Sequence, residues 1–281
     1  MKFGVTFHTS DRAMSPVDVA REAEVRGFDS LYVPEHTHIP VSRRTPAPTG
    51  EAELPDVYKR TYDPYIALAA AASVTKTLRL GTGVALPAQR DVIALAKEIA
   101  TLDLVSGGRF TWGIGFGWNR EEAENHGVPF AERREVVHEK VSAARALWSA
   151  DVADYAGKHV RFEASWQWPK PVQRPGPPVL IGSGAGPKAF AAIAAYADGW
   201  MPIGGGGVRA ALPELARAME REGRDPASLA IVPLGVLPDP GKLDYFQSIG
   251  CTEVVFRLSG GGPGEVLPAL DAMARMIETR R

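Results

Sequence analysis

With 281 residues, 45% of them hydrophobic and 23% charged, the chain is long enough to bury a large core and is not a disordered polypeptide. Its 32 basic and 33 acidic residues leave no electrostatic footprint for nucleic acid or an anionic membrane, and the single cysteine, Cys251, excludes an intrachain disulfide. No apolar run approaches the ~20 residues of a membrane span or forms a signal-peptide core, so a soluble cytoplasmic protein acting on small molecules is expected.

Lys2–Phe7 reads as a strand. Ser15-Pro16-Val17-Asp18 reads as a helix start, with a capping hydroxyl, a proline suited to the first helical position and an acid at the positive end. That helix runs to Gly27, a plausible C′ glycine, and Asp29–Pro34 is the second strand. Residues 35–62 form a long, polar, proline-rich connection of the kind that carries function. Asp63-Pro64 opens an alanine-rich helix to Thr75, and Leu78–Leu86 is the third strand. Asp91 caps a helix whose apolar residues at 92, 95, 96, 99 and 102 keep the helical period; Ser106-Gly107-Gly108 ends it. Arg109–Phe116 is the fourth strand and 117–131 a second long loop, in which Arg120, Glu121, Glu122 and Glu124 read as a solvated loop or a first helical turn. A helix spans 132–149, and 151–176 reads as an insertion with extended pieces from Asp154 to Phe162. Four further units follow: Val179–Ile181 with a helix from Pro187 to Tyr196, Gly199–Pro202 with 208–223, Leu229–Leu237 with Lys242–Ile249, and Glu253–Leu258 with the C-terminal helix.

Alternating β and α elements imply a parallel sheet. Eight units in this length predict an α/β fold of the closed (β/α)8 TIM-barrel type, ahead of an open doubly wound sheet, with residues 1–281 as one domain.

In such a barrel the chemistry sits at the C-terminal ends of the strands. There the glycines gather, in GIGFG (113–117) and GSGAG (182–186). Gly182, Ser183, Gly184, Ala185 and Gly186 lie between a strand and a helix start, where free backbone N–H groups suit an anion; a plain turn is the alternative. Glu35-His36 is the acid–base candidate, because an imidazole titrates near neutrality and a carboxylate can orient it. His8 and His38 share the rim and are expected to line a substrate pocket with Trp118, which can stack on a planar ligand or pack under its own loop. No HExxH or CxxC pattern supports a metal.

Residues 78–122, HGVPFAERR (126–134), PKPVQRPGPPVLIGSGAGPKAF (169–190), YADGWMP (196–202) and the opening GVTF, GFDSLYVPEH and DPYIALAAAASVT together resemble the luciferase-like monooxygenase superfamily. The resemblance implies a bacterial luciferase-like barrel that binds coenzyme F420 or FMN at its mouth. It places the phosphate-bearing tail against Gly182–Gly186 and a non-prolyl cis peptide, here Gly83–Val84, under the ring, with Gly115 and Gly117 beside it. The acid–His pair after the second strand is similar to that of deazaflavin-dependent members, with Glu35 where Asp is common, so F420 is expected and FMN is the alternative. Trp118 stands where a sugar-phosphate dehydrogenase branch has Glu, so a sugar phosphate is not expected. The implied function is hydride transfer between F420 and a small, apolar organic substrate, with His36 moving the proton and Glu35 tuning it. An FMN-dependent two-component monooxygenase fed by a separate reductase, and a non-catalytic flavin- or F420-binding protein, are the alternatives. A homodimer is also implied.

Overall fold

The computed structural model describes residues 1–47 and 53–280; residues 48–52 of the 35–62 connection, and Arg281, lie outside the described residues. Helix starts follow the capping chemistry legible in the sequence. After β1 (Lys2–Thr6), Ser15 Oγ accepts the Asp18 N–H at 3.1 Å and Pro16 opens α1 (Pro16–Val25). Gly27 turns the chain at φ 78° into β2 (Ser30–Val33). Asp63 Oδ1 accepts the N–H groups of Tyr65 and Ile66, both at 3.0 Å, at the head of α2 (Pro64–Ala72). After β3 (Arg79–Thr82), Asp91 accepts from Ala94 N at 2.9 Å and starts α3 (Val92–Val105), which leads to β4 (Phe110–Ile114). Each cap satisfies helix-end donors that have no partner within the helix.

Next come the short α4 (Arg120–Asn125) and the long α5 (Arg133–Ser149). The insertion is an antiparallel hairpin of β5 (Val152–Ala156) and β6 (Arg161–Trp166). Its turn is held to α5 by Glu139, which accepts the N–H groups of Lys158, His159 and Val160 at 2.8–3.0 Å. The barrel resumes with β7 (Val179–Gly182), α6 (Pro187–Tyr196), β8 (Gly199–Met201) and α7 (Val208–Arg221). It ends with β9 (Ala230–Ile231), β10 (Leu234–Val236), α8 (Pro240–Ser248), β11 (Glu253–Arg257) and α9 (Pro263–Glu278).

The parallel strands run in the order β10-β11-β1-β2-β3-β4-β7-β8-β9. The two ends of this order are one stretch of chain. Pro233, which has no N–H to give a ladder, separates β9 from β10, and a parallel bridge joins Ile203 to Leu234. The sheet therefore closes into the expected (β/α)8 barrel.

The two-residue period of each strand sorts side chains between two cores. Phe3, Val5, Phe7, Leu31, Val33, Val254 and Phe256 point outward into a core shared with helix residues such as Val19, Leu95 and Leu270. Tyr32, Leu180, Met201, Leu234 and Val255 point inward and pack with one another. Continuing the inward phase past each strand end brings His8, His36 and Arg257 to the C-terminal mouth. The same phase turns Glu35 outward.

Two predicted segments change character. Of Leu78–Leu86 only Arg79–Thr82 is strand; the Gly83–Val84 bond that follows is cis, and Pro87–Gln89 forms a 3-10 turn. At 120–124 the helical alternative holds, as α4, but Glu122 and Ala123 are buried rather than solvated.

Candidate active site

His36 is the centre of the mouth. Its Nδ1 lies 2.9 and 3.1 Å from the two carboxylate oxygens of Glu122, and the two side chains are 8% and 1% exposed. A carboxylate only accepts, so Nδ1 carries the hydrogen and Nε2 is left for a ligand. Tyr58 and Trp118 complete an aromatic box, with centroids 5.3 and 5.9 Å from His36 and 6.4 Å from each other. The His8 ring centroid lies 5.7 Å from that of Tyr58. Burial, then His36 and Arg257, lower the His8 pKa to about 4, so it is neutral at pH 7.

Glu35 does not share this box. Its Oε2 accepts the Leu86 N–H at 2.7 Å, its Oε1 accepts from Arg90 Nε at 2.5 Å, and its own N–H donates to Val84 O at 3.1 Å. Burial raises its pKa, and Arg90 and the Leu86 N–H offset part of that rise. Arg90 also reaches Asp63 and lies 4.7 Å from the Tyr65 ring centroid. Glu35 thus clamps the segment after β3, and the carboxylate bonded to His36 belongs to Glu122.

The short helix α4 organises the rim. Besides Glu122, its Glu121 accepts from Arg44 N at 2.9 Å and Thr45 Oγ1 at 2.6 Å. His38 Nε2 lies 3.0 Å from Asn125 Nδ2, and Thr37 Oγ1 joins His38 to His126. His38 is therefore drawn onto α4 rather than into the box of His8, Tyr58, His36 and Trp118. Across the mouth, the 3-10 turn Asp56–Arg60 is held by ion pairs of Arg12 and Lys59 with Asp56 and of Arg60 with Asp11, which set Tyr58 over both histidines.

The glycines divide by cause. A Cβ on Gly115 would lie 2.7 Å from Val84 Cγ2, and one on Gly182 would lie 2.4 Å from Val84 Cγ1. Those two positions are small because the Val84 side chain fills them. Gly83 faces Tyr32 and Leu234, and Gly117 adopts φ +76°. At Gly184 and Gly186 a Cβ would meet nothing within 4 Å, so the loop backbone borders open space. The Ser183 hydroxyl there is buried without a partner, as are the Asn119 side-chain atoms and Gln89 Oε1 on the neighbouring loops. Ala185 lies on the same exposed loop, just ahead of α6. Unpaired polar atoms, open backbone and a helix N-terminus suit a phosphate-bearing ligand.

A family model described as luciferase-like monooxygenase matches residues 1–237. The chain belongs to the luciferase-like monooxygenase family. An uncharacterised protein of Mycobacterium tuberculosis is 48% identical over 289 aligned positions, covering 99% of both chains. Among solved structures, a monooxygenase from Streptomyces bottropensis superposes with a TM-score of 0.79 at 21% identity, covering 100% of this chain and 99% of that one. An F420-dependent secondary alcohol dehydrogenase, in complex with an F420–acetone adduct, superposes at 0.78 with 17% identity, covering 100% of both chains. At these identities the two structures establish the shared barrel.

Sequence reasoning missed Glu122 and Tyr58. Glu122 lies in the acidic run REEAEN, where nothing distinguishes a buried acid from its solvated neighbours. Tyr58 sits in a connection without periodicity.

Proposed function

We propose that this member of the luciferase-like monooxygenase family is an oxidoreductase that transfers hydride between coenzyme F420 and a small organic substrate. The observation that carries this reading is the buried Glu122–His36 pair, which holds one imidazole nitrogen and offers the other to the mouth. The F420-dependent alcohol dehydrogenase among the structural neighbours supports the same choice. Gly184, Gly186 and Ser183 would hold the phosphate-bearing tail, and Gly83, Val84, Gly117 and Trp118 would border the ring. When bound, F420 supplies a hydride-carrying carbon in a ring that does not readily activate oxygen. The chain's own residues do the rest. Trp118 and Tyr58 exclude water around His36, and Glu122 fixes the ring orientation and stabilises the imidazolium when Nε2 has taken a proton. His36 Nε2 then takes or returns the hydroxyl proton of the substrate.

Titrating the protein separately with F420 and FMN, followed by fluorescence, tests the assignment. F420 binding in the micromolar range or tighter, with substrate-dependent absorbance change, is the expected result. Tight FMN binding with none for F420 would make the chain a flavin monooxygenase. Binding without turnover of any oxidant or reductant pair would make it a carrier.

A further inference from the structure

The mouth has two unlike halves. β3, β4 and β7 end inward in Gly83, Gly115 and Gly182, around Val84. The adjacent strands β11, β1 and β2 end inward in Arg257, His8 and His36. Arg257 has this direction because it follows Glu253 and Val255 in the inward phase. It stands opposite Thr6, and the next residue, Leu258, donates its N–H to Thr6 O at 3.0 Å.

Arg257 is exposed, and among the described residues its guanidinium has neither a hydrogen bond nor an ion pair. Five acids of the mouth are committed elsewhere. Glu122 is bonded to His36, Glu35 and Asp63 to Arg90, Asp11 to Arg60, and Asp56 to Arg12, Lys59 and Arg60. The Arg257 charge is left without a carboxylate partner at the entrance, beside a neutral His8 that can donate or accept. A guanidinium fork matches a carboxylate in shape as well as charge.

We propose that the substrate carries a carboxylate, received by Arg257 with His8 beside it, while its apolar body lies against Tyr58 and Trp118. The inference rests on the oxidoreductase reading only for the word substrate. It refines the apolar molecule expected from sequence into an amphipathic acid.

The test uses the full chain saturated with oxidised F420 and, in a second arm, with oxidised FMN, so that a ketone binds without being reduced. Calorimetry compares a series of straight-chain and aryl keto acids with their amides. At least one acid is expected to bind about tenfold or more tighter than its amide, the range of a charge-assisted hydrogen bond. Arg257→Gln is expected to erase that preference and Arg257→Lys to keep part of it, with cofactor affinity and melting temperature unchanged. Equal binding of every acid and amide overturns the proposal, and so does a preference that survives in Arg257→Gln. If Arg257→Gln weakens F420 instead, the guanidinium serves a carboxylate on the cofactor and the proposal falls. An acid preference in a protein that turns over none of these keto acids with reduced F420 or with reduced FMN would sink the oxidoreductase reading and leave the Arg257 assignment standing.

Discussion

The two ends of the barrel interior treat polar groups in opposite ways. At the N-terminal end, Glu253 is buried, yet its carboxylate accepts from the Ser30 hydroxyl and from Tyr32 at 3.4 Å, and Arg79 donates to Thr111 Oγ1 at 3.0 Å. At the C-terminal end, Thr9 Oγ1, Gln89 Oε1, Ser183 Oγ and both Asn119 side-chain atoms are buried without partners. The remaining unpartnered buried atoms among the described residues belong to Arg134, Gln167, Tyr196 and Arg280. A partnered cluster closes the floor and adds stability. Unpartnered atoms are a cost to the empty fold that a ligand can relieve.

The largest expected effect is at the mouth. His36→Ala should lower turnover per folded molecule by about 10²–10⁴-fold and also lower the melting temperature, because it leaves the buried Glu122 carboxylate without its partner. Near-normal kcat in that variant would remove His36 from the chemistry. Glu122→Gln should lower kcat by about 10–100-fold with cofactor affinity unchanged, because the neutral amide no longer stabilises the imidazolium. An unchanged kcat would leave Glu122 only a packing role.

Two glycines of one loop offer a sharper contrast. Gly182→Ala drives a methyl into Val84 and should destabilise the fold by about 1–3 kcal/mol in denaturant unfolding. Gly184→Ala meets open space and should leave stability within about 0.5 kcal/mol while weakening cofactor binding. If both variants lose only stability, the loop is a turn and not a phosphate site.

At the floor, Ser30→Ala removes the Glu253 partner and should cost about 1–3 kcal/mol of stability, with kcat per folded molecule unchanged. A kcat loss there would couple the two ends.

The acid limb of stability offers a test that needs no activity assay. The His8 pKa lies near 4 in the fold and near 6.5 in the unfolded chain. Between those values the unfolded chain holds a proton that the folded chain lacks, so stability falls as pH drops from about 6.5 to 4 and levels off below. His8→Gln should flatten that slope in urea titrations across the window. An identical slope would place the loss in another group.

Much of this was legible in the sequence. Capping at Ser15, Asp63 and Asp91 and the glycine at 27 are local chemistry, and the strand–helix alternation sets the barrel because each element must bury one face. His36, Trp118 and the 182–186 loop were found because their types and strand-end positions are unusual together. The partner of His36 could not be read the same way. Glu35 is adjacent in sequence, but the strand period turns it to the opposite face and into the clamp with Arg90, while Glu122 arrives from 86 residues away. The same holds for Gly115 and Gly182, whose smallness answers to the Val84 side chain on another strand. Alternation, capping and turn chemistry depend on near neighbours, so the sequence alone determined the elements and the end of the barrel that would carry a site. Which acid faces the imidazole, which glycines border open space and which arginine reaches the mouth without a partner were decided only when closure of the barrel brought distant strand ends together.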